Sequence, residues 1–561
     1  MFRDKSGQLM AILDTIKRKK YGKPISPTIE NETEKKYKKY NYNGSFHKGL
    51  EHNTVDGRLV STLNYQKMVC AIIKNDQSLL ASIPLAVGST VKLVNPLASL
   101  CTLPMGAMQG SLQLEDAPTL WSNTGAAEMV ELYAQVLARD IPFVDYNTSV
   151  LISKLLGNQY LNKPNILQNL KYIPASINHP FTSNTIFRSN FFGGLDGPYV
   201  SQLLLLDVVA GALRYNQQFS VPPTKVLAIT NSIRVEWGVS LAETINMQNG
   251  KLALLPPATP VAKLIKRYIF DGRSLAEAVH NDPVYQFYYH ATLILSSLGT
   301  SPNPTWPVYP NQGGFITNNG PAAVQCLLAD VTEYTLKHSW YWKWQQSRKL
   351  RPEAFGLWTH DVKSNLVPNA DNFDISNVLL DNKILDDILA YNNEQIPGTN
   401  SYTMAQAYRE GSPLHPAYVS GHAIIAGACA TILKMFYNGN QLWTTLPGVI
   451  SGNLSGLPNA IVQANVDGTQ LISFAGQTTN ITVAGELNKL AFNVGIGRDW
   501  AGIHYRTDAY NGILLGETVA IKYMSDVLAC SVENNTNGSA PEIIFKNFDN
   551  QTVTVRPTTC L

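Results

Sequence analysis

A chain of 561 residues can bury a large core, and its composition, with 45% hydrophobic and 15% charged residues, is that of a globular protein rather than a disordered one. The net charge of +3 arises at the N-terminus, because residues 1–45 hold eleven Lys/Arg against five Asp/Glu and leave the remainder at −3. The body of the chain therefore gives no basis for a nucleic-acid-binding surface, and no nucleic-acid partner is expected.

The first 45 residues are predicted to form a basic, flexible arm. They contain the basic runs 17–20 and 35–39, which are typical of a solvated terminal segment. A localisation signal, a polyanion-binding segment and an arm wrapped around a neighbouring subunit are the alternatives. We expect a helical scaffold over residues 46–310 and a helical part that carries the candidate site over residues 311–561, with 46–561 folded as one compact unit.

The cysteines and the apolar segments exclude several classes of protein. Six cysteines are scattered with no Cys-x-x-Cys pair, so neither a zinc site nor a small-domain disulfide framework is expected, while one or two bridges remain open. No window reaches the roughly 18–20 uninterrupted apolar residues of a membrane span, and the first four residues do not begin a secretory signal. We expect a soluble chain with no membrane partner, in a compartment that the sequence leaves open.

Helices are predicted over most of the chain beyond the arm. Apolar residues recur at three-to-four spacing in segments that Pro, Gly and Asn separate. These segments are residues 124–140, 198–215, 273–280 and 284–299, a helix after His422, one from about Glu486 to Gly502, and one over about 507–528. Long helices with few alternating strands predict an all-α fold built from helical bundles.

Two small β-hairpin insertions are predicted, one near residues 458–484 and one at the C-terminus. In the first, strands over 460–466 and 471–474 flank the turn signal Asp467-Gly468, and residues 481–483 have the pattern of a further strand. In the second, residues 542–545 and 552–555 are predicted to pair across Asp549-Asn550.

The stretch His415-Pro-Ala-Tyr-Val-Ser-Gly-His422 is the strongest indication of chemistry. Ser420 suits the N-cap of the small, apolar helix that follows, so the first amides of that helix, those of Gly421 and His422, point out of its positive end. Such a helix start is a binding site for an oxyanion. The two histidines beside it indicate acid–base work on a bound oxyanion.

Two further segments offer cations for that oxyanion. Lys343 and Arg351 lie eight residues apart near the end of a predicted helix, and Arg351 precedes Pro352, which biases it away from helical geometry. Arg498 and His504 are six residues apart, which on a continuous helix would point them about 240° apart. They converge only if the helix breaks, and Gly502 allows a break.

In order along the chain, these three segments resemble the signature shared by vanadium-dependent haloperoxidases and by type 2 phosphatidic-acid and acid phosphatases. Seven residues lie between Lys343 and Arg351, as in the bromoperoxidases, and His415 stands where chloroperoxidases usually have Phe. The resemblance to the bromoperoxidases covers roughly residues 120–530, including residues 197–202, 271–276 and 485–491.

The resemblance implies a vanadate cofactor bound at the end of a four-helix core within residues 311–561. It implies that His504 ligates vanadium, that His422 is the acid–base group, and that His415 tunes it or the approach of the halide. The vanadate oxygens would be held by Lys343, Arg351, Ser420, Gly421 and Arg498. Trp340 falls at a halide-selectivity position.

Three acidic sites have weaker assignments. Asp282, before Pro283, is either a simple helix-start charge or a partner that orients an active-site arginine. Asp508 is likewise a helix-start carboxylate or an orienter of the neighbourhood of His504. A structural calcium ion is expected only by analogy with the family, near the acidic run 371–374.

The function that the resemblance implies is a vanadate-dependent peroxidase. It would use hydrogen peroxide to oxidise bromide and iodide to hypohalous acid, which halogenates an organic acceptor. An iodide-specific peroxidase is one alternative, and a phosphatase with a phospho-histidine at His504 is another. The non-enzyme alternative is an anion-binding or assembly protein with a vestigial site. A homo-oligomer, a dimer or larger, is expected from the family.

Overall fold

A computed structural model describes residues 15, 17–99, 103–224, 234–253, 264–307, 320–451, 461–530 and 540–557. Helices dominate and β structure is confined to two-stranded sheets, so the predicted all-α bundle class is confirmed. The α-helices are α1 (Glu32–Tyr37), α2 (Thr62–Lys74), α3 (Gln77–Ala81), α4 (Asn123–Ala138), α5 (Val150–Leu155), α6 (Pro164–Asn169), α7 (Leu241–Gln248), α8 (Gly272–Ala278), α9 (Gln286–Ser297), α10 (Pro321–Trp340), α11 (Pro352–Lys363), α12 (Asn377–Leu380), α13 (Ile384–Gln395), α14 (Gly421–Phe436), α15 (Pro447–Ile450), α16 (Val483–Trp500) and α17 (Arg506–Cys530).

A four-helix core positions the candidate site. Helix α14 packs against α10, α16 and α17, and every residue from Ala423 to Phe436 is buried, as expected for a helix that is apolar on all sides. Gly427 and Gly516 let α14 and α17 approach closely: a Cβ atom on Gly427 would lie 1.9 Å from the carbonyl oxygen of Ile513. The site lies where α14 begins and α16 ends.

Four two-stranded antiparallel sheets within the described residues test the predicted strands. Strand β5 (Val462–Ala464) pairs with β6 (Leu471–Ser473), and β7 (Ile543–Lys546) pairs with β8 (Thr552–Val555), so the two predicted hairpins are present. Residues 458–460 of the first lie outside the described residues. The sequence did not indicate two further pairs: the hairpin of β1 (Val208–Ala210) with β2 (Leu213–Tyr215), and the pairing of β3 (Phe219–Val221) with the distant strand β4 (Ile265–Arg267).

Two predicted elements are wrong. Residues 198–215 are not a helix: a short 3₁₀ turn (Gln202–Leu204) leads into β1 and β2, and Gly211, with φ of +61°, forms the tight turn between them. Residues 481–483 are not a strand, because the Thr482 hydroxyl accepts from the amide of Gly485 at 3.0 Å and caps α16 instead.

Residues 17–45 make buried contacts with the rest of the chain, and the flexibility of the arm over residues 1–45 stays a prediction. Glu34 is 1% exposed and accepts from Nε and Nη2 of Arg348 at 2.5 and 2.7 Å, so this segment is fastened to the second half of the chain. Lys17 is also buried and donates to the carbonyl of Gly106. Residues 1–14 and 16 lie outside the described residues, and the division at residue 310 stays a prediction.

None of the helices in the described ranges combines the length and hydropathy of a membrane span. Among the cysteines described, Cys70, Cys326, Cys429 and Cys530 are free, and Cys429 is buried in α14 as a small apolar side chain.

Candidate oxyanion site

The start of α14 provides the floor of the site. Ser420 is the N-cap: its hydroxyl accepts from the amide of Ala423 at 3.4 Å, and its own amide donates to the carbonyl of Asp508 at 3.0 Å. The amides of Gly421 and His422 are the first of the helix and have no acceptor within it. A Cβ atom on Gly421 would find its nearest neighbour, in Leu336, 3.8 Å away, so the space above this amide is open to a ligand.

Lys343 lies in a π-helical segment (Tyr341–Ser347) that continues α10. Its ammonium is fully buried and donates to the carbonyls of Pro416 and Ala417, both at 2.8 Å, which leaves one of its three protons for another acceptor. Burial, and then the charge of Arg351, hold the pKa of Lys343 well below its ordinary value. An anion bound beside this ammonium would stabilise its charged form.

Arg351 is the N-cap residue of α11 and has extended geometry (φ −85°, ψ 156°), as the following proline predicts. Its guanidinium donates to the carbonyl and to Nδ1 of His415 at 2.8 Å each, and to Nε2 of His504 at 2.9 Å. Burial lowers the pKa of Arg351 to about 9. The side chain of Arg351 thus links the other two predicted segments, the one with His415 and the one with His504.

The break predicted after Arg498 is present. Helix α16 ends at Trp500, Gly502 has φ of +80°, and α17 begins at Arg506, so His504 turns back toward the site. His504 accepts from Arg351 at Nε2, and its Nδ1 lies 2.9 Å from Oδ2 of Asp508. The proton therefore sits on Nδ1, so Nε2 is unprotonated and its lone pair, which here accepts from Arg351, is the one that could bind a metal.

The pKa of His504 lies well below its ordinary value. Burial lowers it most, and four nearby groups lower it further, in the order Arg351, Lys343, Arg498 and His422. The direct contacts are those of Arg351 with His415 and His504, and of Lys343 with the carbonyls of the two residues that follow His415.

Arg498 projects from the last turn of α16. It donates from Nη1 to the carbonyl of Val279 at 2.6 Å and lies over the ring of Tyr408, with 5.4 Å between the guanidinium carbon and the ring centroid. Its Nε is buried, and within the described residues no group accepts its proton. An unused buried donor of this kind suits an oxyanion ligand.

His422 bonds to Asp282, and this corrects one prediction. Nε2 of His422 lies 2.8 Å from Oδ1 of Asp282, so the direct partner of Asp282 is a histidine rather than an arginine. Burial acts to raise the pKa of Asp282, but His422 and then Arg498 outweigh it, and the net pKa is below its usual range. The His422 side chain is 21% exposed, which gives it access to solvent.

His415 lies beside the cations and against an aromatic ring. The edge of one ring meets the face of the other in the Trp340–His415 pair, with centroids 4.9 Å apart. Burial, then Lys343 and Arg351, hold the pKa of His415 well below its ordinary value, so it is neutral. The structure thus places Trp340 and His415 next to each other, as expected if both border one halide approach.

The donor set fits vanadate. It combines three buried cations, an unused N–H of Arg498, open space above Gly421 and a histidine whose Nε2 is unprotonated. The described residues contain no group of three or more His, Cys, Asp or Glu able to hold a metal ion, but an oxyanion needs only one such ligand. The expected calcium near 371–374 has no such group either, and Asp374 pairs with Lys36 at 2.8 Å.

Sequence reasoning missed two residues. Lys349 binds Asp508 at 3.1 Å, but in the sequence it appears only as one charge in a basic run. Tyr408 lies under Arg498 and carries no motif at all. That Asp508 orients His504 was one of the two alternatives that the sequence left open. The indication for it is the four-residue spacing between the two side chains at the start of a helix.

The fold and site define a helical-bundle protein with a buried, cation-lined oxyanion site. Residues 386–531 match the family described as the VCPO second helical-bundle domain. The vanadium-dependent bromoperoxidase of Ascophyllum nodosum is 33% identical over 511 residues, covering 88% of this chain and 84% of that protein. The enzyme of the same name from Corallina pilulifera is 29% identical over 546 residues, covering 86% and 87%.

A solved structure agrees with these relatives. The homohexameric structure of the second vanadate-dependent bromoperoxidase of Ascophyllum nodosum superposes with a TM-score of 0.82 at 27% identity, covering 99% of this chain and 90% of that one. The chain therefore belongs to the vanadium-dependent bromoperoxidase family, and it is an enzyme of that type.

Proposed function

We propose that this enzyme uses hydrogen peroxide to oxidise bromide, and also iodide, to hypohalous acid, which halogenates an organic acceptor. The observation that carries the proposal is the arrangement of His504. Its Nε2 carries no proton and accepts from Arg351, its Nδ1 is held by Asp508, and the charges of Lys343 and Arg498 also act on it. Family membership adds to this support, since the relatives are named for vanadium and bromide.

Each site residue has a proposed role in holding vanadate. His504 ligates the vanadium through Nε2, while Lys343, Arg351 and Arg498 neutralise the oxyanion. The hydroxyl of Ser420, which is already an acceptor for Ala423, has its proton left to donate, and the Gly421 amide donates from the helix start. Bound vanadate supplies a Lewis-acid centre that activates peroxide without a change in oxidation state.

His422 moves the protons. Its Nε2–H is held by the Asp282 carboxylate, so the ring nitrogen that accepts a proton from hydrogen peroxide is Nδ1. Because the side chain is partly exposed, the proton can pass on to water or return to the product. Asp282 fixes the orientation of the ring through this bond.

His415 and Trp340 shape the approach of the halide. A neutral His415 next to Lys343 and Arg351 adds no charge but presents a polar edge beside an indole ring. A large, polarisable halide is well suited to such a surface. The ratio of bromide to iodide turnover in Trp340→Phe tests this role, and an unchanged ratio removes it.

The direct test is bromination of monochlorodimedone with and without added orthovanadate, with phosphate as competitor. We expect vanadate-dependent turnover that phosphate suppresses by occupying the same cradle. Efficient phosphoester hydrolysis with no vanadate-dependent bromination would instead establish the phosphatase alternative. Turnover of iodide alone would restrict the halide range to iodide.

We propose that the chain forms a homo-oligomer. The superposed Ascophyllum protein is described as homohexameric, and the superposition covers nearly all of this chain. Native mass spectrometry at micromolar concentration gives the number of subunits. A monomeric mass under these conditions would refute the proposal.

A further inference from the structure

A buried chain of charges lies behind His504. Nδ1 of His504 meets Oδ2 of Asp508 at 2.9 Å, and the other oxygen, Oδ1, accepts from Nζ of Lys349 at 3.1 Å. Nζ of Lys349 is also 3.7 Å from Oε2 of Glu128 and 3.9 Å from the centroid of the Tyr505 ring. The side chains of Asp508 and Glu128 are fully buried and that of Lys349 is 5% exposed.

Lys349 connects the three segments that form the site. It belongs to the segment between Lys343 and Arg351, and its carbonyl accepts from the amide of Ala417 at 3.0 Å, in the segment that leads to α14. Its side chain reaches Asp508 in the first turn of α17. No step of the proposed mechanism uses it.

The charges behind His504 depend on this one lysine. Glu128 and Asp508 both lie within 4 Å of Nζ of Lys349. Burial raises the pKa of Glu128, Lys349 opposes that rise, and the charge of Asp508 adds to it. Oε1 of Glu128 accepts from the amide of Thr507, whereas its Oε2 accepts no hydrogen bond within the described residues. Without Lys349, two buried carboxylates would face each other with no cation between them, a costly arrangement.

We propose that Lys349 is a positioning residue for vanadate binding: its ammonium fixes the Asp508 carboxylate, which in turn holds the ring of His504 so that Nε2 faces the vanadate site. The proposal rests on the proposed function. Orienting partners of metal-binding histidines typically contribute a factor of about 10–100 to metal affinity.

The test is the dissociation constant of orthovanadate, measured by titration calorimetry on full-length protein. We expect Lys349→Met to raise it about 10- to 100-fold. The matched control is Lys434→Met. Lys434 is also buried and pairs at 3.2 Å with Glu517, which, like Asp508, belongs to α17. Its Nζ lies 3.5 Å from the centroid of the Phe548 ring, yet it is at the end of α14 that is remote from the site. It should lose similar thermal stability and keep its vanadate affinity.

A second variant separates charge from packing. In Lys349→Met/Glu128→Gln, the uncompensated carboxylate is removed while the acceptor for the Thr507 amide remains, so most of the vanadate affinity should return. Affinity of Lys349→Met within twofold of wild type, or no recovery in the double variant, overturns the role of Lys349. Absence of vanadate binding by the wild-type protein overturns the proposed function itself, which is a distinguishable result.

Discussion

The close contact of α14 with α17 predicts that Gly427→Ala damages both stability and the site. A Cβ atom on Gly427 would lie 1.9 Å from the carbonyl oxygen of Ile513, and an ordinary contact begins near 3.4 Å, so the helices must separate by about 1.5 Å. Overpacking of this kind costs about 1–3 kcal/mol, against which the better helix propensity of Ala recovers at most about 1 kcal/mol.

The same displacement reaches the site because both helices carry parts of it. Ser420 starts α14, and its amide donates to the carbonyl of Asp508 in the first turn of α17 at 3.0 Å. A separation of 1 Å or more breaks that bond and moves the cradle away from His504. A misplacement of about 1 Å costs roughly 100-fold in rate. We therefore expect Gly427→Ala to lower bromination by about that factor.

Urea unfolding and monochlorodimedone turnover with saturating orthovanadate measure the two effects. The matched control is Gly495→Ala in the neighbouring helix α16, where a Cβ atom would meet Ala509 and Ala423 at 3.4 and 3.5 Å, which are ordinary contacts. That variant should keep its turnover within twofold and its stability at or above that of wild type. Wild-type stability and turnover in Gly427→Ala would refute the reasoning.

Three further predictions concern the site, the N-terminal segment and the pH dependence. His504→Ala should abolish vanadium retention, measured by elemental analysis after dialysis, whereas His422→Ala should retain the metal and lose most turnover; equal metal loss in both would contradict the division of roles. Glu34→Gln should destabilise the protein by about 3–5 kcal/mol in urea unfolding, because it leaves the buried Arg348 unpaired, and a loss under 1 kcal/mol would contradict the structure. Burial lowers the pKa of His338 to about 4 from an ordinary 6.5, so the unfolded chain takes up the proton first and the protein loses stability as the pH falls from 6.5 towards 4. Relative to His338→Gln, the wild-type protein should lose up to about 3 kcal/mol of unfolding free energy across this range. A difference between the two proteins that stays constant with pH would refute this prediction.

Local chemistry explains which parts of the site could be predicted from sequence. The cap at Ser420, the extended geometry of Arg351 before a proline and the break at Gly502 each depend on a few adjacent residues, and all three are present. Of the residues that resemble the family signature, Arg351 contacts both His415 and His504. Their individual roles stay predictions.

Pairings between distant residues could not be predicted. Asp282 and His422 are 140 residues apart, and nothing in either segment selects the other over an arginine. The basic character of Lys349 is evident in sequence, but its partner Asp508 lies 159 residues away. The wrong helix over 198–215 has a different cause: two adjacent valines and a glycine with positive φ favour a hairpin over the helical periodicity.

The ion pair of Glu34 with Arg348 also constrains the order of events during synthesis. The two residues are 314 positions apart, so at about 5–20 residues per second Glu34 leaves the ribosome roughly 15 to 60 s before its partner exists. Asp508 and His504 follow later still, and the cradle cannot close until they are made. A deletion of residues 17–45 would remove Glu34 and leave the buried Arg348, three positions before Arg351, without its carboxylate partner.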